Sequence, residues 1–362
     1  MPARMRSLLT DWTVLGPVVA AIALALSWGR KLPLPFVIVV ALCLAAAVLA
    51  AVHHAEVVAH RVGEPFGSLV LAVAVTVIEV ALIVTLMADG DAKSASLARD
   101  TVFAALMITC NGILGLSLLV GAWRYRTAVF HAEGSGALLA TVATLATLTL
   151  VLPTFTTSRP GPEFSPAQLA FAGVASIVLY GVFVAMQTVR HRDYFLPVKQ
   201  EGPEEHAPPP STRAAWFSMA FLLLALVAVV GDAKAVSPAI EVGVSRAGLP
   251  QAVVGVVIAL LVLLPETIAA VRAAVRDRIQ TSLNLALGSA MASIGLTIPA
   301  IAIASIWLPG GLVLGLGSTH LVLLALTVVV SVLTIVPGRA TLLQGGVHLV
   351  LLAAFIFLAI NP

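Results

Sequence analysis

Two acidic residues stand where acids are expensive. Glu79 lies inside the apolar stretch 67–88 and Glu266 inside the stretch 250–271. If those stretches cross a bilayer, a charge near the centre of either costs about 2.5–3.5 kcal/mol on insertion scales. No Lys or Arg lies at the same depth to neutralise them. The compensating charge must then be a proton or a bound cation. If both carboxylates face one cavity, mutual repulsion and desolvation disfavour ionising both at once. Such a site holds protons or a cation in competition, which is the minimum machinery for cation/proton exchange. The plain alternative is that each acid stays protonated and hydrogen-bonded to a neighbouring helix.

Oxygen atoms that could complete a cation shell lie nearby in the sequence. Thr109 and Asn111 fall in the middle of the window 100–122, and Ser289 and Ser293 in the window 282–307. Ser289 and Ser293 are four apart and share a helix face. A calcium ion takes six to eight oxygens, so Glu79 and Glu266 as metal ligands would need such hydroxyls, backbone carbonyls and water besides. Pro265 directly precedes Glu266. A proline inside a helix removes one donor and frees a carbonyl, which either coordinates a cation or marks a simple kink. Gly288 and Ala292 form a small-xxx-small pair suited to close helix packing.

The elements that would position these residues are membrane helices. The chain is 60% hydrophobic and only 10% charged, against roughly 25% charged in soluble domains. Apolar windows recur at 12–29, 33–53, 67–88, 100–122, 135–153, 167–189, 215–231, 250–271, 282–307, 318–336 and 341–360. The expected fold class is therefore an all-α integral membrane protein of about eleven transmembrane helices. Within these windows, only Glu79 and Glu266 read as mid-membrane acids. Cys43 and Cys110 lie in apolar runs and read as small core residues. The +3 net charge is scattered, which argues against nucleic-acid partners.

The segment 190–213, rich in Pro and Glu, reads as a linker. With residues 1–30 set aside as an extra N-terminal helix, five helices precede it (31–189) and five follow (214–362). Five is odd, so the second set enters the membrane from the opposite side, giving a 1 + 5 + 5 inverted-topology repeat. Gly115-Leu116-Ser117-Leu118 against Gly295-Leu296-Thr297-Ile298 supports it, at 36 and 29 residues after Glu79 and Glu266. Loops on the N-terminal side carry thirteen Lys and Arg and the other side seven, which places the N-terminus in the cytoplasm.

Arg61-Val62-Gly63-Glu64-Pro65-Phe66-Gly67-Ser68-Leu69, followed by Glu79, resembles the first signature region of the calcium/cation antiporter superfamily. Leu264-Pro265-Glu266 with Asn284-Leu285-Ala286-Leu287-Gly288-Ser289 resembles the second. Gly338-Arg339-Ala340-Thr341 and Gly345-Gly346-Val347-His348-Leu349 are most similar to the bacterial ChaA-type calcium/proton and sodium/proton antiporters, and the resemblance runs from about residue 55 to 360. It implies two inverted five-helix halves, paired acids that carry over to Glu79 and Glu266, and proton-coupled cation export across a cell membrane with no cofactor. Glu64 matches the Gly-Glu-x-Phe-Gly pattern at a helix entrance, as a cap or mouth residue. Vacuolar-type members carry Gly-Asn-Ala before each acid, where this chain has Thr76-Val77-Ile78 and Leu263-Leu264-Pro265. That departure leaves sodium or potassium open beside calcium.

The histidines divide. His53, His54 and His60 stand near a helix end and should face headgroups, whereas His320 and His348 lie within apolar helices as polar contacts or, for His348, part of a proton path. Glu201, Glu204, Glu205 and His206 form a reduced acidic loop, read as solvated linker. A channel would usually repeat acidic rings across subunits, and an enzyme would need clustered ligands, for which His53, His54, Glu56 and His60 have the wrong spacing. A secondary transporter of inorganic cations and protons, not an enzyme, is the expectation.

Overall fold

The computed structural model describes residues 11–30, 32–63, 66–88, 94–198, 210–250, 252–307 and 311–362. Glu64 and the acidic loop residues Glu201, Glu204, Glu205 and His206 lie outside the described residues. Every apolar window is helical: α1 (Trp12–Ser27), α2 (Leu34–Val62), α3 (Phe66–Met87), α4 (Leu97–Tyr125), α5 (Ala132–Thr154), α6 (Pro166–Arg190), α7 (Thr212–Arg246), α8 (Ala252–Val262) and α9 (Leu264–Val275) as one bent pair, α10 (Ile279–Ala304), α11 (Ser318–Ile335) and α12 (Leu342–Ile360). Among the described residues eight helices are long and apolar enough to cross a membrane, nine with the bent pair. Helix ends are set by local chemistry. Ser165 and Gln168 close a capping box at α6 with Pro166 at its first turn, and Thr341 and Gln344 do the same at α12. Asp11 caps α1, and the Thr13 backbone N–H it accepts, followed by the Thr13 hydroxyl, holds its carboxyl below the ordinary range.

The chain packs as two units. The first comprises Met1–Leu86 and Glu204–Gly248, so it holds α1, α2, nearly all of α3, and α7; the second comprises Met87–Pro203 and Leu249–Pro362. In the first unit α1, α2 and α7 pack on one another through small residues such as Ala47, Ala50, Ala51, Ala225 and Ala228, all fully buried. His54 corrects the headgroup expectation: it is buried in this layer, its Nε2 2.9 Å from the carbonyl of Thr13 and its ring against Phe221. His60, near the end of the same helix, is exposed.

α7 corrects a second expectation. The window 215–231 becomes a helix of 35 residues, and it carries Asp232 and Lys234 inside it. Asp232 is wholly buried while Lys234 is exposed. Two residues of helix turn through about 200°, so neighbours in sequence face opposite environments.

In the second unit α4 is buried along almost its whole length. α12 crosses it at two glycines. A Cβ on Gly345 would stand 2.6 Å from the backbone nitrogen of Leu119, and one on Gly115 would stand 2.9 Å from the Cβ of His348. This crossing, not Gly288, supplies the close approach: a Cβ at Gly288 would meet open space among the described residues. A short antiparallel ladder joins β1 (Ala128–Val129) to β2 (Arg339–Ala340), with Ala128 opposite Ala340. Each alanine lies two residues after a residue with φ +67°, Arg126 ahead of β1 and Gly338 ahead of β2. Cys43 and Cys110 are free thiols, half-buried and buried respectively.

Candidate functional site

Glu79 sits in the later half of α3, a helix continuous from Phe66 to Met87, and is only 3% exposed. Its neighbours Thr76, Ile78, Leu82 and Ile83 are buried with it. Glu266 has a different setting. The chain breaks between α8 and α9 with a bend of 52°, and Glu266 falls in the first turn of α9, half-buried. Pro265 has no N–H to give the carbonyl four residues earlier, that of Leu261, so the ladder opens there. Thr267 tightens the new start: its backbone N–H and its hydroxyl both donate to the carbonyl of Leu263, at 2.9 and 2.7 Å. The proline therefore produces a broken span rather than a gentle kink. Because Glu79 and Glu266 belong to separate units, each is described in its own surroundings.

The ligand candidates on α4 occupy a π-helical turn, Ile108–Ile113. Such turns insert one extra residue per turn and recur at functional sites. Thr109 is fully buried and spends its hydroxyl on the carbonyls of Ala105 and Leu106, at 2.8 and 3.0 Å. Asn111 is the centre of a buried polar chain. Its amide nitrogen donates to the Thr327 hydroxyl at 2.9 Å, and its carbonyl oxygen lies 3.1 Å from His348 Nδ1. His348 Nε2 lies 3.2 Å from the Thr334 hydroxyl. A neutral ring protonated on Nδ1 satisfies all three contacts, donating to Asn111 and accepting from Thr334. Gly115 makes this possible, because a side chain there would push His348 away. His348 is thus joined to Asn111 in a fully buried network.

Like α5 at Thr147–Val151 and α6 at Met186–Arg190, α10 also carries a π-helical turn, Ser293–Thr297. Ser293 is buried within it, and Ser289 one turn earlier is half-buried. A residue that the sequence reading passed over ties this helix in place. Ser282, fully buried, donates to the Ala270 carbonyl of α9 at 2.7 Å and meets Ser117 of α4 at 2.6 Å. Ser282, Ser289 and Ser293 repeat at seven and four residues, one helix stripe, so extending the Ser289–Ser293 pair backward by two turns would have found it. Gln280 was also missed. It accepts from the His131 backbone and donates to Asn284, which in turn donates to the Phe195 carbonyl. Asp100 is buried too, held by Arg99 at 2.8 Å and by Ser96 at 3.0 Å. His320 rests against the Phe103 ring. Among the described residues no group of three or more His, Cys, Asp or Glu is placed to hold a metal ion by itself.

The family described as sodium/calcium exchanger protein matches residues 32–189 and 217–361. The chain belongs to this family. It is 46% identical over 331 residues to a chain of Sinorhizobium fredii described only as an ionic transporter, covering 90% of this chain and 89% of the relative. It is 33% identical over 326 residues to the sodium-potassium/proton antiporter ChaA of Escherichia coli, covering 88% of each. Among solved structures, the H+/Ca2+ exchanger CAX superposes with a TM-score of 0.74 over 98% of this chain and 89% of that one, at 16% identity, a likeness of fold. Family and fold together make this a multi-pass membrane protein of a cation exchanger family, whose named relatives are transporters rather than enzymes.

Proposed function

We propose that the protein is a secondary antiporter that exports a cation from the cytoplasm in exchange for protons, with Ca2+ as cargo and Na+ or K+ accepted besides. The observation that carries this reading is Glu79: a carboxyl 3% exposed within the apolar helix α3 of a cation exchanger family member. Glu79 and Glu266 are proposed as the acids that alternate between cation and proton. Ser289 and Ser293 are proposed as hydroxyl ligands, and the Leu261 carbonyl freed by Pro265 as a backbone ligand. Thr109 and Asn111 shape the π turn of α4, and His348 fixes Asn111; Glu64 remains a proposed mouth residue. The cargo cation is substrate, and no cofactor is invoked.

Segments 31–189 and 214–362 are proposed as inverted halves that rock about the site, joined by the linker 190–213, with residues 1–30 as an added helix. The ladder supports the repeat. It joins the third-to-fourth helix connection of the first segment to the fourth-to-fifth of the second, and the antiparallel bridge Glu163–Val313 joins the reciprocal two connections, the exchange that a two-fold relation of the segments would produce. We place the protein in the inner membrane with a cytoplasmic N-terminus, an orientation that the distribution of Lys and Arg supports.

The second reading is a monovalent cation/proton antiporter with little Ca2+ activity, favoured by the 33% identity to a sodium-potassium/proton antiporter. Flux in proteoliposomes under an imposed pH gradient separates the two. Labelled calcium, then sodium and potassium, would be followed in the wild type, Glu79→Gln and Glu266→Gln. Proton-driven uptake lost in either variant is the expected result, and the ion taken up identifies the cargo. Flux independent of the gradient would indicate a channel, and normal exchange in both variants would overturn the paired-acid mechanism.

A further inference from the structure

We propose that Asp232 is a proton-binding site in its own right, carried on α7 in the layer it forms with α1 and α2. Asp232 has no accessible surface, and both of its carboxylate oxygens are buried without a hydrogen-bond partner among the described residues. It lies on neither of the helices that carry Glu79 and Glu266, so the inference does not rest on the paired-acid mechanism.

The surroundings decide which ligand can neutralise it. From α2, Cys43 is close enough for its thiol and the Asp232 carboxyl to interact electrostatically. From α1, Leu24 packs on the adjacent Gly231, and no titratable residue lies between Trp12 and Ser27. On α7 itself, Lys234 is exposed on another face, and Glu241 is more than two turns away. The remaining acids within helices of this unit are Glu56 on α2, which is exposed and thirteen residues beyond Cys43, and Glu79 on α3. His54 of α2 stands beside Phe221, eleven residues before Asp232 along α7, or about 16 Å of helix rise. Among the described residues no cation side chain is hydrogen-bonded to the carboxyl.

A bound metal ion is an unsuitable substitute. Sodium or calcium needs several oxygens around it, whereas both oxygens of this carboxyl lack a hydrogen-bond partner among the described residues, and the residues one turn away on its own helix, Ala228, Val229 and Val236, are buried and apolar. An unpaired buried carboxylate is too costly to persist and takes up a proton instead. Cys43 also lines an apolar groove of about 540 Å³, walled by Leu26, Pro33, Phe36 and Val40 with Arg30 at its edge. The proton is held while this layer stays closed, and wetting the α2–α7 contact releases it.

Infrared spectroscopy of the full chain in lipid vesicles tests the assignment. The background carries Glu79→Gln and Glu266→Gln, so those carboxyls contribute nothing. At neutral pH ordinary carboxyls, with values near about 4, are ionised, and only a retained proton gives the C=O stretch of a carboxylic acid. The expected result is one such band, shifted in D2O and absent after Asp232→Asn. Asp232→Leu, which suits the apolar layer, provides the same subtraction if the amide disturbs folding. No acid C=O band at neutral pH in the parent protein overturns the proposal without any change at Asp232. A band that survives both substitutions overturns it as well.

Discussion

The two helices that carry the central acids solve the same problem differently. α3 runs unbroken past Glu79, whose carboxyl is buried among Thr76, Ile78 and Ile83. The counterpart carrying Glu266 is split, with a 52° bend and the acid in the first turn of α9. A helix start presents free N–H groups and the positive end of the helix dipole. Glu266 thus has backbone donors and an opened carbonyl nearby, while a mid-helix acid has neither. The difference comes from one residue type: Pro265 stands before Glu266, where Ile78 stands before Glu79. An inverted repeat need not be symmetric in detail, and a single proline is enough to give two like acids unlike backbones.

The largest expected effect removes the acids that make the comparison. Glu79→Gln and Glu266→Gln should each lower proton-driven exchange by more than about 100-fold, beyond the loss typical of an outer-shell partner of a metal site. Flux in proteoliposomes measures it. Equal losses would show that both backbones serve one site, and a loss confined to Glu266→Gln would make the broken span alone essential. Pro265→Ala then makes the second segment resemble the first. It restores an amide whose absence costs about 3 kcal/mol in a helix interior, so thermal stability should rise. Exchange should fall by about tenfold, the loss expected of an outer-shell change at a metal site, as the freed carbonyl is withdrawn. Unchanged exchange with raised stability would reduce the break to a structural kink.

Much of this was legible in the sequence because apolar length and buried charge are strong signals. All eleven windows became helices, since a bilayer admits little else. Glu79 and Glu266 were legible as acids within apolar stretches, and both lie in helices. Asp232 was not. A hydropathy window ends where charged residues begin, and Asp232 and Lys234 together closed it at residue 231. The helix continued because Asp232 faces inward and Lys234 outward, a distinction that depends on neighbouring helices. His54 failed for a similar reason: its partner is the Thr13 carbonyl, 41 residues away. Asn111 was singled out from its place in an apolar window, yet its contacts to Thr327 and His348 are 216 and 237 residues distant and invisible to local spacing.

Smaller effects test how firmly each backbone setting is supported. Asn111→Ala leaves the Thr327 hydroxyl and His348 Nδ1 buried without their partner, a desolvation loss of about 1–3 kcal/mol for each group. Thermal unfolding in detergent should register a clear drop. His348→Gln in the same background should add less than it costs alone, because one network is being broken twice. Full additivity of the two losses would mean that the π turn and α12 are stabilised independently.

Ser282→Ala should give the smallest loss and sharpen the comparison most directly. The hydroxyl is the tie from α10 to both the Ala270 carbonyl of α9 and Ser117 of α4. One net hydrogen bond contributes about 1 kcal/mol, which for a chain of this size lowers the unfolding temperature by about 2 °C. The informative readout is local. If the tie holds the start of α9 in register, amide exchange should quicken in residues 264–275 and stay unchanged in α3, which holds neither of these two partners. Equal quickening in both helices would show that the broken span has no separate anchor and that its geometry follows from Pro265 alone.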